Sequence, residues 1–215
     1  MALEASHIRI ALAVEGKLSI TDRGAYLCGA IYPDSRYVTK IERLLTHPTD
    51  YKNDPMFMRE DFYKGWLVHL LTDDIQYKAM QEALPKVCEG VDGQGSDVWM
   101  RRTAIKIIQD MSDAKFFDIN STFSYFDQVF TPNGEDVDLM KQYNKLYVDM
   151  YQFIDKLSLE SYAAFWRAFD VDDSTVARMI EQTKTYLLDR GITAKAEGLY
   201  ETIVGKLAYE LVKVS

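Results

Sequence analysis

Apolar residues in this chain recur every three to four positions, and no run of alternating residues suggests a series of strands, so the pattern predicts helices throughout. A first helix is expected over about residues 7–15, with Ile8, Ala11, Leu12 and Val14 on its apolar side, Ser6 as its cap and Gly16 as its stop. Thr21 and Asp22 open a second helix that closes near Gly29 and Ala30. Pro33 biases Tyr32 away from helix, which puts Asp34 on a turn. A short helix over about residues 38–45 follows, and Pro48 leaves His47 at a helix end or in a loop. After a polar connection, a long central helix is predicted over about residues 56–83, stopped by Pro85.

The second half continues in the same period. Residues 89–96 form a glycine-containing loop, but no strand precedes it and no Lys-Ser/Thr follows, which excludes a phosphate-binding P-loop. Ser96 or Asp97 then caps a helix through Trp99, Ile105 and Ile108. Residues 116–130 are aromatic and irregular, and short helices are expected there. Pro132-Asn133-Gly134 reads as a turn. Met140, Tyr143, Tyr147, Met150, Ile154 and Leu157 keep helical spacing and read as a core stripe. Ser158 caps the next helix, which carries Tyr162, Phe165, Trp166 and Phe169. Asp170, Asp172, Ser174 and Glu181 fit a calcium loop, yet Thr175 stands where such a loop needs glycine, so a capped helix N-terminus is expected instead. Gly191 ends that helix, and Thr193 begins a last one that runs to about residue 212. The expected fold class is all-α: one compact domain over residues 1–215, with eight or nine helices and no internal repeat.

Composition narrows the function classes. A chain of 215 residues buries about 70% of its unfolded surface. The net charge of -8 argues against a broad nucleic-acid footprint or an anionic membrane surface. Two cysteines, Cys28 and Cys88, lie far apart and form no CxxC, which fits a reducing compartment. No basic segment leads into an apolar run at the N-terminus, and no apolar stretch is long enough to span a bilayer, so a cytoplasmic location is expected.

The chemistry gathers on the central helix. Phe62, Gly65, Trp66, His69, Asp73 and Tyr77 share a face, so two ionisable groups one turn apart sit in an otherwise apolar segment. Burying such a pair is costly unless something compensates it. Gly65, one turn before His69, is either a tolerated glycine or a place where another backbone approaches closely. The three histidines, His7, His47 and His69, all lie in the first third of the chain. With Asp34 and Asp73 they make a nitrogen and oxygen donor set that suits zinc, iron or manganese better than calcium and needs no thiolate. Taken singly, each residue has an ordinary reading: His7 as a capping or exposed histidine, His47 as a loop residue, His69 as a hydrogen-bonded core histidine, and Asp73-Asp74 as a polar helix face.

Three segments, taken in order, resemble the zinc-dependent phospholipase C family of all-helical metal hydrolases, which are related in fold to fungal single-strand nucleases. They are Gly29-Ala30-Ile31-Tyr32-Pro33-Asp34, then Thr46-His47, then Gly65-Trp66-Leu67-Val68-His69-Leu70-Leu71-Thr72-Asp73. The resemblance covers about residues 7–77. It implies Asp34, His47, His69 and Asp73 as metal ligands and His7 as an additional one. In a metal-dependent hydrolase built on this set, a ligand carboxylate, Asp34 by preference, is expected to orient or deprotonate the metal-activated water. The metal-site part would then be about residues 1–85, followed by C-terminal helices over about residues 96–215. The chain departs from the family because no histidine follows His69, so the further His/His/Glu ligand group cannot form. One ion is expected, with zinc first and iron or manganese as alternatives, or two ions if a carboxylate bridges.

The family's classical members are also secreted, and no signal segment is read here, so a small soluble phosphoester is expected in place of a membrane lipid. Arg36, Arg43 and Lys64 are the nearest cations for its phosphate, although each is more often a surface charge. A histidine-aspartate phosphohydrolase is the weaker enzyme reading, since the chain has no His-Asp doublet. A non-catalytic metal-binding or protein-interaction domain is the alternative from another class. Residues 135–215 carry no functional signal; they would complete the core, cover the site or form a homodimer.

Overall fold

The computed structural model describes residues 3–93, 95–116 and 119–214, and among these every regular element is helical. The first half holds α1 (Glu4–Val14), α2 (Arg23–Ile31), α3 (Arg36–Thr39), α4 (Arg43–Thr46), α5 (Asp61–Ala83) and α6 (Asp97–Asp113). The second holds α7 (Ile119–Phe123), α8 (Val137–Tyr151), α9 (Leu159–Ala168), α10 (Asp173–Leu188) and α11 (Arg190–Val214). Short 3-10 turns join several of them, including Tyr32–Ser35 and Pro55–Met58. No helix among the described residues is long and apolar enough to cross a membrane.

The tightest contact in the fold joins α2 to α5, and two glycines make it. A Cβ on Gly29 would lie 1.9 Å from the Phe62 carbonyl oxygen, and one on Gly65 would lie 1.8 Å from that of Tyr26. Neither position has room for a side chain, so the two helices meet backbone to backbone. Of the two roles the sequence leaves open for Gly65, close approach is the one found. Gly29 is not a stop signal; it sits inside α2, which continues to Ile31. Asp61, at the start of α5, accepts hydrogen bonds from Thr21 N, Thr21 Oγ1 and Asp22 N and so ties the α2 entrance to α5.

Several predicted boundaries shift for identifiable reasons. Helix α1 begins before Ser6, which is therefore interior; the Ser6 amide donates at 2.9 Å to Asp110 Oδ1, so a carboxylate from α6 satisfies an N-terminal donor that no local side chain caps. The helix expected over residues 38–45 is split into α3 and α4 because Lys40 takes a left-handed conformation, with φ 60°. Helix α5 starts at Asp61, after the separate Pro55–Met58 turn. The stripe from Met140 to Leu157 is not one helix, since α8 ends at Tyr151 and a 3-10 turn (Ile154–Lys156) follows. Gly191 lies in the first turn of α11, where Asp189 Oδ1 accepts from the amides of Gly191 and Ile192. The caps expected at Ser96, Ser158 and the 170–174 segment are present; in the last, Asp172 accepts from the Thr175 amide. The irregular 116–130 segment contains α7 and a 3-10 turn, while Phe117 and Asp118, and Gln94 of the earlier glycine loop, lie outside the described residues.

The core is shared between the two halves. Helix α1 packs against α2, α5, α6 and α11. Leu199, Ile203, Leu207 and Leu211 form a fully buried stripe on α11, which packs against α5 and α6. The C-terminal helices thus complete the core around the α1–α5–α6 layer.

Candidate metal centre

Four separate pieces of chain deliver the five expected side chains to one place. His7 comes from α1, Asp34 from the Tyr32–Ser35 turn, His47 from the C-cap of α4, and His69 and Asp73 from one face of α5. One ligand atom each from His7, Asp34 and His69 lie within 4.8 Å of one another, and the same holds for His47, His69 and Asp73. The Asp73 carboxylate is 3.7 Å from His7 Nε2, 3.6 Å from His47 Nε2 and 3.8 Å from His69 Nε2. The rings of His7 and His69 are stacked, with centroids 3.7 Å apart and planes within 10°.

The burial of these groups decides their charge. His7, Asp34 and His69 are at most 1% exposed, and only Asp73, whose side chain is 12% exposed, and His47 reach toward solvent. Burial holds the His7 imidazole well below its ordinary range, and the neighbouring His69 ring adds to this. Burial also lowers His69, against the pull of Asp34, and lowers His47, against its hydrogen bond with Asp73. Burial raises Asp34, with His69 opposing it. For Asp73, burial acts upward but is overcome by nearby positive charge and by its hydrogen bond with His47, and the carboxyl stays well below its usual range. The shifts thus favour neutral imidazoles beside an ionised Asp73 carboxylate, the protonation state that a divalent cation requires.

Hydrogen bonding points the same way. His69 Nδ1 is 2.8 Å from the Ala30 carbonyl; since a carbonyl only accepts, Nδ1 carries the proton and Nε2 keeps its lone pair. The α2–α5 contact makes this bond, because only helices that close bring the Ala30 carbonyl onto the His69 ring. His47 Nδ1 is 3.0 Å from Thr46 Oγ1, which leaves its Nε2 on the Asp73 side. The remaining atoms have no hydrogen-bond partner among the described residues: both nitrogens of His7, His69 Nε2 and Asp34 Oδ1 are buried and orphaned. Each such group costs on the order of 1–3 kcal/mol when left unmet. An ion bound by nitrogen and oxygen donors is what would meet them together, so the residues fit a divalent metal. Asp74 lies outside the cluster, held by the Tyr51 hydroxyl at 2.6 Å and Lys52 at 3.3 Å.

A cavity of about 480 Å³ opens over the cluster, with His47 and Asp73 in its lining. Arg36, Arg43, Arg102 and Lys106 also border it. Of the three cations expected for a phosphate, Arg36 and Arg43 border this cavity. Lys64 does not: it is bonded to Asp61 at 2.8 Å, and on the helix it lies about 140° around from His69. Asp34 does not border the cavity either and closes the cluster from behind. Sequence reasoning missed Arg102 and Lys106, one turn apart on α6. Their signal was two cations at i and i+4 in a helix whose Ala104, Ile105, Ile107 and Ile108 are buried. Burial lowers the Lys106 ammonium from its usual value while the charge of Asp73 pulls it back up, which places the lysine in the field of the cluster.

Compared with known proteins, the chain matches no family model, no curated protein and no solved structure.

Proposed function

We propose that this protein is a metal-dependent hydrolase of phosphoesters. The observation that carries the reading is the meeting of orphaned donors from His7, His69 and Asp34 with Asp73 and His47 directly under an open, cation-lined cavity. The resemblance of residues 7–77 to the zinc-dependent phospholipase C family supports the same assignment. Asp34, His47, His69 and Asp73 would hold the ion, with His7 as an additional ligand. Zinc is the first choice, and iron or manganese suits the same donors. His69 has a single nitrogen to offer, since Nδ1 is bonded to Ala30, so the two donor groups cannot each hold an ion through it. One ion is the simpler filling, and a second needs a bridging carboxylate.

Such an ion, when bound, polarises the phosphoryl oxygen and lowers the pKa of a water. The chain does the rest. The water oxygen forms a bond to phosphorus, and the bond from phosphorus to the ester oxygen breaks. The bonding electron pair leaves with the ester oxygen, which takes a proton and departs as the alcohol. The sequence reading prefers Asp34 to orient or deprotonate the water, while placement favours Asp73, which faces the cavity. Asp34→Asn and Asp73→Asn, compared at equal metal content, separate the two: the acceptor's variant loses turnover with ion retained.

The alternative is an ion that only braces the helices, and the depth of His7, Asp34 and His69 favours it. The exposure of Asp73 to the cavity favours catalysis. Metal content of the purified protein and hydrolysis of generic phosphoesters, with His69→Ala and Asp73→Ala as controls, decide between them. Protein that takes up no zinc, manganese or iron, and gains no stability from them, overturns both.

A further inference from the structure

The cavity over the cluster is built for more negative charge than one ester linkage carries. Arg36 and Arg43 come from α3 and α4, and Arg102 and Lys106 from α6. Four cations converging in a chain of net charge -8 are a local reversal of sign, the arrangement that concentrates an anionic ligand. Two of the carboxylates on the wall are already matched. Asp74 is held by Tyr51 and Lys52, and Asp92 pairs with Arg102, whose guanidinium also lies 4.1 Å over the Tyr77 ring. Among the described residues, Arg36, Arg43 and Lys106 have no carboxylate within ion-pairing distance in these cavity walls. Arg36 is held in place by the Tyr37 hydroxyl, at 2.5 Å, and by that ring, at 4.0 Å. The Tyr37 and Tyr77 rings therefore carry guanidinium groups, so the cavity offers charge in preference to a stacking platform.

A phosphodiester brings one negative charge, whereas a terminal phosphate brings about 1.5 to 2 at neutral pH and three oxygens outside the ester bond. One ion cannot meet all three oxygens, and the chain has no histidine after His69 with which to build a second histidine-based ion site. Lys106, which borders the same cavity as Asp73 and His47, brings a second positive charge as a side chain. Resting on the hydrolase reading above, we propose that the site takes phosphomonoesters in preference to diesters, with Lys106 and Arg36 binding the terminal phosphate oxygens that the ion does not hold.

The test uses the full chain loaded with zinc. Inorganic phosphate is titrated calorimetrically, and para-nitrophenyl phosphate is compared with bis(para-nitrophenyl) phosphate. Phosphate is expected to bind with a strong dependence on salt, and the monoester to have the higher kcat/KM. Lys106→Met should weaken phosphate by at least about tenfold and lower the monoester-to-diester ratio by a similar factor, with zinc content and melting temperature retained. Lys106→Arg should restore part of both. A diester preferred by the wild-type chain, or a Lys106→Met variant with full phosphate affinity, overturns the proposal. If phosphate binds through Lys106 while neither ester is hydrolysed, the hydrolase reading fails and the terminal-phosphate pocket stands. If both esters are hydrolysed with phosphate affinity independent of Lys106, the hydrolase stands and this proposal fails.

Discussion

Two buried polar clusters lie side by side in this molecule, and they are solved in opposite ways. The Asp110 carboxylate is engaged at both oxygens: it accepts from the Ser6 amide at 2.9 Å and from the Tyr151 and Tyr162 hydroxyls at 2.6 Å each. Nearby, Asp113 is paired with Arg9 at 2.6 Å. One residue beyond Ser6, His7 has neither ring nitrogen bonded among the described residues, and His69 and Asp34 add further orphaned atoms. The same helix, α1, serves both clusters. Buried polar groups that satisfy one another are scaffold, whereas those left unmet together are what the proposed ion would satisfy.

The contrast is sharpest in what each cluster does to stability. Asp110→Ala strands three donors at once and should cost on the order of 5 kcal/mol in denaturant unfolding, with or without zinc. A cost under about 1 kcal/mol would erase the distinction between the clusters.

The next effect is one of pH. Burial pushes the Asp110 carboxyl up to about 6 from an ordinary 3.8, against the hydrogen bonds from Tyr151, Tyr162 and Ser6. A raised carboxyl contributes stability that is fully present below its unfolded value and lost as pH rises through the folded one. About 3 kcal/mol should therefore disappear between about pH 4 and pH 6. Asp110→Asn should flatten that slope, which thermal unfolding across the range will measure.

Zinc should act on the other cluster alone. At a hundred times its Kd, zinc is expected to stabilise the wild-type chain by about 2.7 kcal/mol. Tyr151→Phe should keep this gain, and His69→Ala should lose it. Equal gains in both variants would place the ion elsewhere.

The smallest effect concerns the discarded cation. Lys64→Met should cost at most about 1 kcal/mol through its bond to Asp61 and should leave phosphate affinity as it is in the wild-type chain.

Much of this site was legible because its chemistry is local. His69 and Asp73 are one turn apart on a helix, and proline sets Asp34 and His47 at breaks, so spacing places these four candidate side chains at element ends or on one face. Gly65 is readable as a close approach for the same reason, whereas its partner Gly29 has the local signature of a helix stop. What escaped depends on contacts between distant segments. Ser6 resembles a cap, but its amide is satisfied by Asp110, more than a hundred residues away. The break at Lys40 needs a left-handed lysine, which local propensity does not announce. Arg102 and Lys106 become part of the site only because α1 and α11 pack against both α5 and α6.

Gly29 and Gly65 also impose an order in time. The His69 ring is oriented by the Ala30 carbonyl only once both glycines are seated, so the docking of α2 on α5 must precede a competent ligand. All five candidate side chains lie before residue 74, and a chain emerging from the ribosome has exposed them before any of α6. At that moment neither Lys106 nor Asp110 has appeared. In a nascent chain whose two glycines have met, the five side chains are therefore present before the cavity that borders them can form.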